Sequence, residues 1–228
     1  MDRGKETTMK LTVTESVSLD GVMQGLGGPE EDRRGGFERG GWQIPLSDEG
    51  VGAFLNDVYA RADAFLFGRR TYEIFAGSWG TMKDPSQSPI GQALHSRRKY
   101  VASSTLTEPR WADTTVIAGE VAAVSELKAE PGGELQVHGS GALVRWLLEN
   151  ELVDEIKLLT FPVIIGQGTR LFADTGPDVA LDLVDTRTTP NGVMKGRLEM
   201  TTTVASEATT YRWSSCVGLD GLVGNVRC

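Results

Sequence analysis

Residues 134–148 read Glu134-Leu-Gln-Val-His138-Gly139-Ser140-Gly141-Ala142-Leu-Val-Arg-Trp-Leu-Leu148. A β-type run ends at the Gly-Ser-Gly sequence, and a helical pattern of apolar residues begins directly after it. Such a turn exposes several backbone N–H groups at the positive end of a helix, and glycine has no Cβ that would keep a ligand away. The stretch therefore predicts a strand, a tight turn and a helix whose N-terminus binds a phosphate group.

Two further turns follow predicted strands in the same way. The apolar run 64–67 is typical of a buried strand and leads into Gly68-Arg69-Arg70-Thr71, and the short strand 99–102 leads into Ser103-Ser104. Strands and helices alternate along the chain, which favours a parallel sheet, and ligands bind beyond the carboxyl ends of parallel strands. We therefore expect the three turns to open on one edge of the sheet.

Two arginines at the start of a predicted helix need an explanation. Arg69 and Arg70 directly follow a strand, and cations at a helix N-terminus oppose the helix dipole. An anionic ligand between the guanidinium groups and the backbone N–H groups would stabilise them, and we favour this interpretation over one in which both charges are simply solvated. The next residue, Thr71, is a candidate both for the helix N-cap and for a phosphate ligand.

The rest of the chain supplies the other elements of an α/β fold. We predict strands at 11–17, 114–117, 135–137 and 152–161, and helices after Ser47-Asp48-Glu49 and at 72–75, 121–129 and 142–149. Two late strands, around 181–188 and 193–202, flank Asn191-Gly192, a strong hairpin signal. The glycine-rich segment 24–41 is expected to be a long, mobile loop. This order predicts a three-layer α/β fold with a mainly parallel central sheet and a C-terminal antiparallel hairpin.

The composition bounds the class of protein. The chain has 228 residues, 39% of them hydrophobic, and we expect one domain over 9–204 between a polar extension (1–8) and a poorly ordered tail (205–228). The net charge of −8 argues against general nucleic-acid binding, and no run of about 18 apolar residues suggests a membrane span. Both cysteines lie in the tail and there are two histidines, so we expect no metal site. These features indicate a cytoplasmic protein.

Four segments carry a resemblance to a known family. They are Ser18-Leu-Asp-Gly21, Phe67-Gly-Arg-Arg-Thr-Tyr-Glu73, His138-Gly-Ser-Gly-Ala-Leu143, and Leu152-Val-Asp-Glu-Ile156 with its continuation Pro162-Val-Ile-Ile-Gly-Gln-Gly168. In this order and spacing they resemble the dihydrofolate reductase-like superfamily, and within it the reductase domain of riboflavin biosynthesis and its stand-alone relatives. The resemblance implies a mainly parallel sheet flanked by helices, with NADPH lying across the strand ends.

The resemblance also implies which residues contact the cofactor. Gly68-Arg69-Arg70-Thr71 is similar to the family's phosphate-binding turn, and Gly139-Ser140-Gly141 is similar to the turn against the pyrophosphate and the nicotinamide ribose. Ser103-Ser104 falls where the family binds the adenosine 2′-phosphate. The basic run Arg97-Arg98-Lys99, which precedes the same strand, could also neutralise a 2′-phosphate.

The candidate catalytic acids are Asp20 and Asp48. Asp20, in Leu-Asp-Gly, is typical of a turn former, and in the family this turn borders the substrate pocket. Dihydrofolate reductases carry an acidic residue soon after Trp-x-x-Pro; here Trp42-Gln-Ile-Pro45 is followed by Asp48, displaced by one position, which argues against folate chemistry. Ordered water is an alternative proton source. His138 is either a proton relay or a structural histidine.

Three functions stay open at this point. The first is a stand-alone NADPH-dependent reductase that transfers a hydride to a small heterocyclic substrate. The second is pyrimidine reduction in riboflavin synthesis, for which Arg33, Arg34 and Arg39 are candidates to bind a substrate phosphate. The third is a nucleotide-binding protein without turnover. A homodimer that pairs the late hairpin across a two-fold axis is compatible with each of them.

Overall fold

The computed structural model describes residues 8–117, 119–172 and 178–201. Within these ranges the strands are β1 Lys10–Ser18, β2 Ala62–Gly68, β3 Arg98–Ala102, β4 Thr114–Ile117, β5 Glu134–His138, β6 Glu155–Phe161, β7 Leu181–Thr188 and β8 Met194–Met200. The α-helices are α1 Glu49–Ala60, α2 Arg69–Ser78, α3 Pro89–Ser96, α4 Val121–Ala129 and α5 Gly141–Glu149. Most of the extension, the whole predicted tail and both cysteines lie outside the described residues.

The strands form one sheet in the order β4-β3-β2-β5-β1-β6-β8-β7. The first six strands in this order pair in parallel, and β8 pairs antiparallel with both β6 and β7. The predicted α/β class, mainly parallel sheet and C-terminal antiparallel hairpin are confirmed. Gly192, at φ 80° in the turn between β7 and β8, adopts the left-handed conformation that the Asn-Gly sequence predicts.

Helices cover both faces of the sheet. On one face, Val124 and Leu127 of α4 and the i, i+3, i+4 triad of α5 (Val144, Leu147, Leu148) pack against buried residues of β1, β5 and β6. On the other face, residues of α1, α2 and α3 pack against β2 and β3, with Phe65 and Phe67 fully buried between them. The central strands are therefore buried on both sides; β2 has the nearly continuous apolar sequence that this burial favours, whereas β1 and β5 also bury polar residues.

The helix predictions are correct in two places and incomplete in two. Asp48 is the N-cap of α1, where its side chain accepts a hydrogen bond from Val51 N, and α4 has the predicted bounds. The predicted helical turn 72–75 is part of the ten-residue helix α2, which begins at Arg69. Helix α3, capped by Ser88 and begun by Pro89, was not predicted, although Ile90, Ala93 and Leu94 stand at helical spacing; the segment is only eight residues long.

The glycine-rich segment 24–41 packs onto the domain. Phe37 is 1% exposed and lies in a cluster with Trp42, Phe161 and residues of α1. The indole Nε1 of Trp42 donates to the carbonyl of Gln24 at 2.9 Å, and the side chain of Gln24 donates in turn to the carbonyls of Asp32 and Arg34. The segment is a loop, as predicted. It was also expected to be mobile, but the buried Phe37 and these hydrogen bonds hold it against the domain at the edge of the sheet.

A cleft opens in the sheet between β1 and β5. The two strands pair only from Lys10↔Glu134 to Thr14↔His138, whereas β1 continues along β6 as far as Ser18↔Phe161. Because β5 ends at His138 and the chain turns away at Gly139, the last residues of β1 have no strand on that side. No helix in the described part of the chain is long and apolar enough to cross a membrane.

Candidate functional site

A cavity of about 470 Å³ occupies the cleft, beyond the carboxyl ends of β2 and β5. This is the position that open parallel sheets use for ligands, and the volume lies within the range typical of small-molecule sites. The cavity is lined by β1, the loop 24–34, α1, α2 and the turn between β5 and α5. Its polar lining residues include Thr14, Glu15, Gln24, Asp32, Arg34, Gln43, Arg69, Arg70, Thr71, His138, Ser140, Arg145 and Thr169.

Two helix N-termini meet at this cavity. Gly68 is the N-cap of α2, Ser140 is the N-cap of α5, and the Ser140 hydroxyl oxygen accepts from Gly68 N–H at 2.9 Å. Neither helix has a side-chain cap on its own first turn or an acidic residue there; α4, away from the cavity, is uncapped in the same way, whereas α1 and α3 are capped by Asp48 and Ser88. Two sets of backbone N–H groups therefore face the same space, an arrangement suited to an anion.

The geometry of the Gly-Ser-Gly turn requires glycine at position 139, whereas a side chain at position 141 would only have to displace the flexible end of Met23. Gly139 has φ 58°, and a Cβ there would lie 3.0 Å from the Thr71 methyl group. A Cβ on Gly141 would lie 2.5 Å from the sulfur of Met23. Thr71 therefore packs against the Gly139 backbone inside α2 and is not the helix N-cap, because the helix begins two residues earlier. The prediction of Thr71 as the N-cap is wrong.

Both arginines of α2 line the cavity and already have partners. Arg69 pairs with Glu73, four residues along α2, at 2.7 Å, and its guanidinium also donates to the Thr105 hydroxyl at 2.7 Å. Arg70 pairs with Asp32 of the covering loop at 3.3 Å. The Asp32 carboxylate, 7% exposed, also accepts from Arg34, and this hydrogen bonding lowers the pKa of Asp32 to about 2. The charges at the start of α2 are thus balanced by carboxylates, one of which reaches into the cavity.

Ser103 and Ser104 lie at the carboxyl end of β3, on the same sheet edge as the other two turns, but they do not line the cavity. The Ser103 hydroxyl accepts from the backbone N–H groups of Thr105 and Leu106. The basic run before the strand lies at the opposite end of β3: Arg98 pairs with Glu130, and the buried Lys99 donates to two backbone carbonyls. That run is therefore in the wrong place to meet a ligand at the strand ends.

The two predicted catalytic acids lie outside the cavity lining and organise loops. Asp20 accepts from the Ser18 hydroxyl and from the N–H groups of Ile165 and Gly166, and these hydrogen bonds lower the pKa of Asp20 to about 2. Asp48 caps α1 and accepts from Asn191 N–H, which fixes the hairpin against α1. An ionised carboxylate that is already bonded in this way is a poor proton donor.

His138 lines the cavity as a buried, neutral side chain. Its ring stacks on Tyr59 at 4.2 Å between centroids, and Nε2 lies 3.0 Å from the amide oxygen of Gln136. Burial, with the charge of Lys157 adding to it, lowers the pKa of His138 to about 3. Of the two interpretations left open by the sequence, this environment supports the structural one.

Three cavity residues that the sequence analysis missed carry buried polar atoms without partners. They are Thr14 and Glu15 of β1 and Gln43 of the loop before α1. For Glu15 the sequence did contain a signal. It is in phase with Leu11, Val13 and Val17, so a carboxyl group interrupts the apolar phase of an alternating strand.

Among the arginines predicted for a substrate phosphate, Arg34 lines the cavity, where it holds Asp32. Arg33 forms an exposed pair with Glu30, and neither Arg33 nor Arg39 lines the cavity. In the described parts of the chain, no three His, Cys, Asp or Glu side chains are placed to hold a metal ion.

Comparison with known proteins agrees with this architecture. The chain is 29% identical over 181 residues to the uncharacterised protein YyaP of Bacillus subtilis (strain 168), covering 79% of this chain and 89% of YyaP. The fold is similar to the crystal structure of a protein ascribed to riboflavin biosynthesis from Shewanella sp. PV-4, with a TM-score of 0.64 at 20% identity over 85% of this chain and 99% of that one. It is also similar to a pyrimidine reductase-like protein from Corynebacterium diphtheriae, with a TM-score of 0.56 at 15% identity over 85% and 92%.

A family model decides the assignment. The model of the RibD C-terminal domain matches residues 9–195, which include all four segments of the sequence resemblance and every residue described above as lining the cavity. The chain therefore belongs to the RibD C-terminal domain family, whose fold is that of the dihydrofolate reductase-like reductases of riboflavin biosynthesis.

Proposed function

We propose that this protein is an NADPH-dependent reductase that transfers a hydride to a small heterocyclic substrate. The observation that carries the proposal is the meeting of two N-termini, of α2 and α5, without side-chain caps at the Gly68–Ser140 hydrogen bond. Paired helix N-termini beside Arg70 suit a diphosphate, which needs several N–H donors and at least one cation. Membership of the RibD C-terminal domain family supports the same chemistry.

The residues present fit this cofactor. Gly139 and Gly141 carry no side chain that would cover the backbone N–H groups of the turn, as close approach by a ligand requires. Arg69 lines both the cavity and an adjoining hollow of about 700 Å³ that Thr105 and Arg110 also line. We assign the diphosphate to the Gly68 and Gly139–Gly141 turns and the adenosine end to the side of Arg69 and Ser103-Ser104. When bound, the nicotinamide supplies the hydride.

The space left for the substrate is small and polar. Thr14, Glu15 and Gln43 offer buried polar atoms that have no partner within the protein, and a heterocycle with both N–H donors and carbonyl acceptors would satisfy them. The covering loop, held by Trp42 and Phe37, would keep bulk water away from the transfer. The protein's contribution is therefore orientation and exclusion of water.

The test is a titration of the protein with NADPH, followed through tryptophan fluorescence, since Trp79 lines the cavity. We expect NADPH to quench the fluorescence saturably. The affinity for NADPH obtained from this titration should fall at least tenfold in R70A. It should be unchanged in R61A, because Arg61 pairs with Glu134 away from the cavity. The absence of quenching at near-millimolar NADPH would refute the proposal. NADPH oxidation is then measured with a panel of cyclic imines and ribosylamino-pyrimidine phosphates; tight binding without oxidation would instead support a nucleotide-binding protein without turnover.

A second candidate is pyrimidine reduction in riboflavin synthesis itself. The observation in its favour is Arg34, a cavity-lining cation on the covering loop that could bind a substrate phosphate once released from Asp32. Complementation of a riboflavin-requiring reductase mutant tests it. Growth with the wild-type gene but not with an R34A variant is expected, and failure of the wild-type gene together with intact NADPH binding would direct the search to another substrate.

A further inference from the structure

Glu15 lies where β1 loses its neighbour. The pairing of β1 with β5 ends at Thr14, whereas Glu15 is paired with Leu158 on the β6 side. Glu15 is 2% exposed and lines the cavity together with Thr14 and Ser16. A carboxyl group is thus built into the central strand of the sheet at the point where the sheet opens onto the proposed nicotinamide and substrate space.

Both carboxyl oxygens of Glu15 are buried without a hydrogen-bond partner. Among the described residues, five buried side-chain polar atoms are in this condition, and four of them belong to the cavity-lining Thr14, Glu15 and Gln43. Unpaired buried polar atoms are rare in folded proteins because each lost its hydration without compensation. Their concentration in one cavity indicates that a polar ligand completes their hydrogen bonding.

Burial also decides the charge of Glu15. Removing a carboxylate from water with no cation or N–H donor to replace the water favours the neutral form, and the pKa of Glu15 is accordingly raised well above its ordinary value of 4.5. Burial and the charge of Glu15 together raise the pKa of the adjacent Tyr59. Burial without a hydrogen-bond partner therefore favours the protonated form of the Glu15 carboxyl group.

We propose that Glu15 is the catalytic acid of the reductase, which donates its proton to the nitrogen or oxygen of the substrate double bond while the carbon receives the hydride. The inference rests on the proposed function. The hydride adds to the carbon of a C=N or C=O bond, the π electron pair moves to the heteroatom, and that atom takes the Glu15 proton. The dihydronicotinamide becomes oxidised, Glu15 becomes a carboxylate, and a solvent proton restores the acid after product release.

The other titratable groups of the cavity are less suited to this role. His138 is neutral with a pKa of about 3, and Asp32 is held ionised by Arg34 and Arg70. Glu31 also has a raised pKa through burial, but its carboxylate accepts hydrogen bonds from the loop N–H groups of Gly27 and Leu26. The substrate class follows from the proposed role: a polar molecule with a hydrogen-bond acceptor on the reducible bond, facing Glu15.

The test compares E15Q with a matched control, E155Q. Gln has nearly the shape of Glu and can still hydrogen-bond a substrate, but it cannot deliver a proton. Glu155 is also a buried carboxyl on a central strand, 5% exposed, but it pairs with Lys157 and Arg197 at 3.4 Å each and does not line the cavity. E155Q therefore reports the effect of changing a buried, ion-paired carboxyl group of this sheet that lies outside the cavity.

The first readout needs neither substrate nor cofactor. Infrared difference spectra at neutral pH, wild type minus E15Q, are expected to show the C=O stretch of a protonated carboxylic acid, whereas wild type minus E155Q should show carboxylate bands. The free energy of unfolding gives an independent check. Because the folded pKa of Glu15 is raised, wild-type stability relative to E15Q is greatest below pH 4.5 and is lost as the pH rises towards that folded pKa. Carboxylate bands for Glu15 at neutral pH would overturn the inference.

The second readout is turnover. NADPH should quench the fluorescence of E15Q as it does that of wild type, while its oxidation with an active panel substrate falls at least about 100-fold. The wild-type rate of NADPH oxidation should decline at alkaline pH, where Glu15 loses its proton. The residual rate of E15Q should show no such decline. The charged and titratable groups that line the cavity together with Glu15 and shape this pH dependence are Tyr59 of α1, His138 of β5, Arg69 and Arg70 of α2, Arg145 of α5, and Glu31, Asp32 and Arg34 of the loop.

The outcomes separate the two proposals. If E15Q oxidises NADPH at the wild-type rate, the role of Glu15 is refuted and the reductase function stands. If wild type fails to bind NADPH, the proposed function is refuted. If wild type binds NADPH but oxidises it with none of the panel substrates, the protein has no reduction step that needs a proton donor. Both the reductase activity and the role of Glu15 as its catalytic acid are then refuted.

Discussion

The hydroxyl of Ser140 accepts a hydrogen bond from the backbone N–H of Gly68 at 2.9 Å, and each of these residues is the N-cap of a helix. One side chain therefore links the β2–α2 turn to the β5–α5 turn, which are 72 residues apart in sequence. Ser140 also holds a left-handed backbone conformation, with φ 64°, that is unfavourable for most residues other than glycine. The relative position of the two helix N-termini depends on this residue.

Substitution of Ser140 separates the contribution of its hydrogen bond to stability from the cost of its left-handed backbone conformation. S140A leaves the Gly68 N–H without its acceptor, and we expect it to lower the free energy of unfolding by about 1–3 kcal/mol. S140G loses the same hydrogen bond but tolerates the left-handed backbone, so it should be more stable than S140A by about 1 kcal/mol. Urea denaturation measures both, with S96A as a control because the Ser96 hydroxyl bonds within α3, away from the cavity. Equal stability of S140A and S140G would contradict the strain argument.

The Asp32–Arg70 pair predicts opposite effects on cofactor affinity. Asp32 puts a negative charge where an anionic ligand would meet Arg70, so D32N should tighten NADPH binding about three- to tenfold. R70A should weaken it at least tenfold. The control is E30Q, which removes a carboxylate of the same loop that pairs with the exposed Arg33. If D32N instead weakens binding in the titration, Asp32 serves to orient Arg70 and does not compete with the ligand.

Arg69 is expected to set the preference between the two nicotinamide cofactors. It bonds to Thr105, two residues beyond Ser103, and lines the hollow next to the cavity. R69A should therefore weaken NADPH binding about tenfold or more, as expected for a hydrogen bond to a charged group, and leave NADH binding nearly unchanged. R98A is the matched control at the opposite end of β3. Equal loss of affinity for both cofactors would place Arg69 at the diphosphate instead of the 2′-phosphate.

Asp20 predicts a defined stability change at acid pH. Its hydrogen bonds from Ser18, Ile165 and Gly166 lower its pKa from 3.8 to about 2, so the stabilisation is present above pH 3.8 and is lost as the pH falls through about 2. D20N should lower the free energy of unfolding at neutral pH by about 1–3 kcal/mol, and the difference from wild type should shrink as the pH drops through that window. Asp182, an exposed carboxylate of β7, gives the control variant D182N. A difference that is constant with pH would show that the charge of Asp20 is irrelevant.

Local patterns were sufficient to predict much of the fold. The Gly-Ser-Gly turn, the Asn191-Gly192 hairpin and the Asp48 cap each depend on a few adjacent residues, so single-sequence reasoning finds them. Helix α3 was missed because its packing against α1 and the β2 face, more than its own periodicity, keeps it helical. The length of α2 was underestimated because its first turn carries two arginines, and the partner of Arg70, Asp32, lies 38 residues away in the chain.

The sequence by itself determined the family, the α/β class and the three strand-end turns, because strand alternation, helix periodicity and turn glycines are local properties of the chain. The sequence also sets Glu15 in the apolar phase of β1, but it does not show why a carboxyl group lies there. The tertiary structure decided the rest. In the structure, Asp20 and Asp48 lie outside the candidate site for which they were predicted. The Ser140 hydroxyl is hydrogen-bonded to Gly68, and Glu15 lines the cavity with no partner for its carboxyl group. Whether a carboxyl group caps a helix, anchors a loop or holds a proton depends on burial and on partners far away in the chain, and the folded structure alone brings these together.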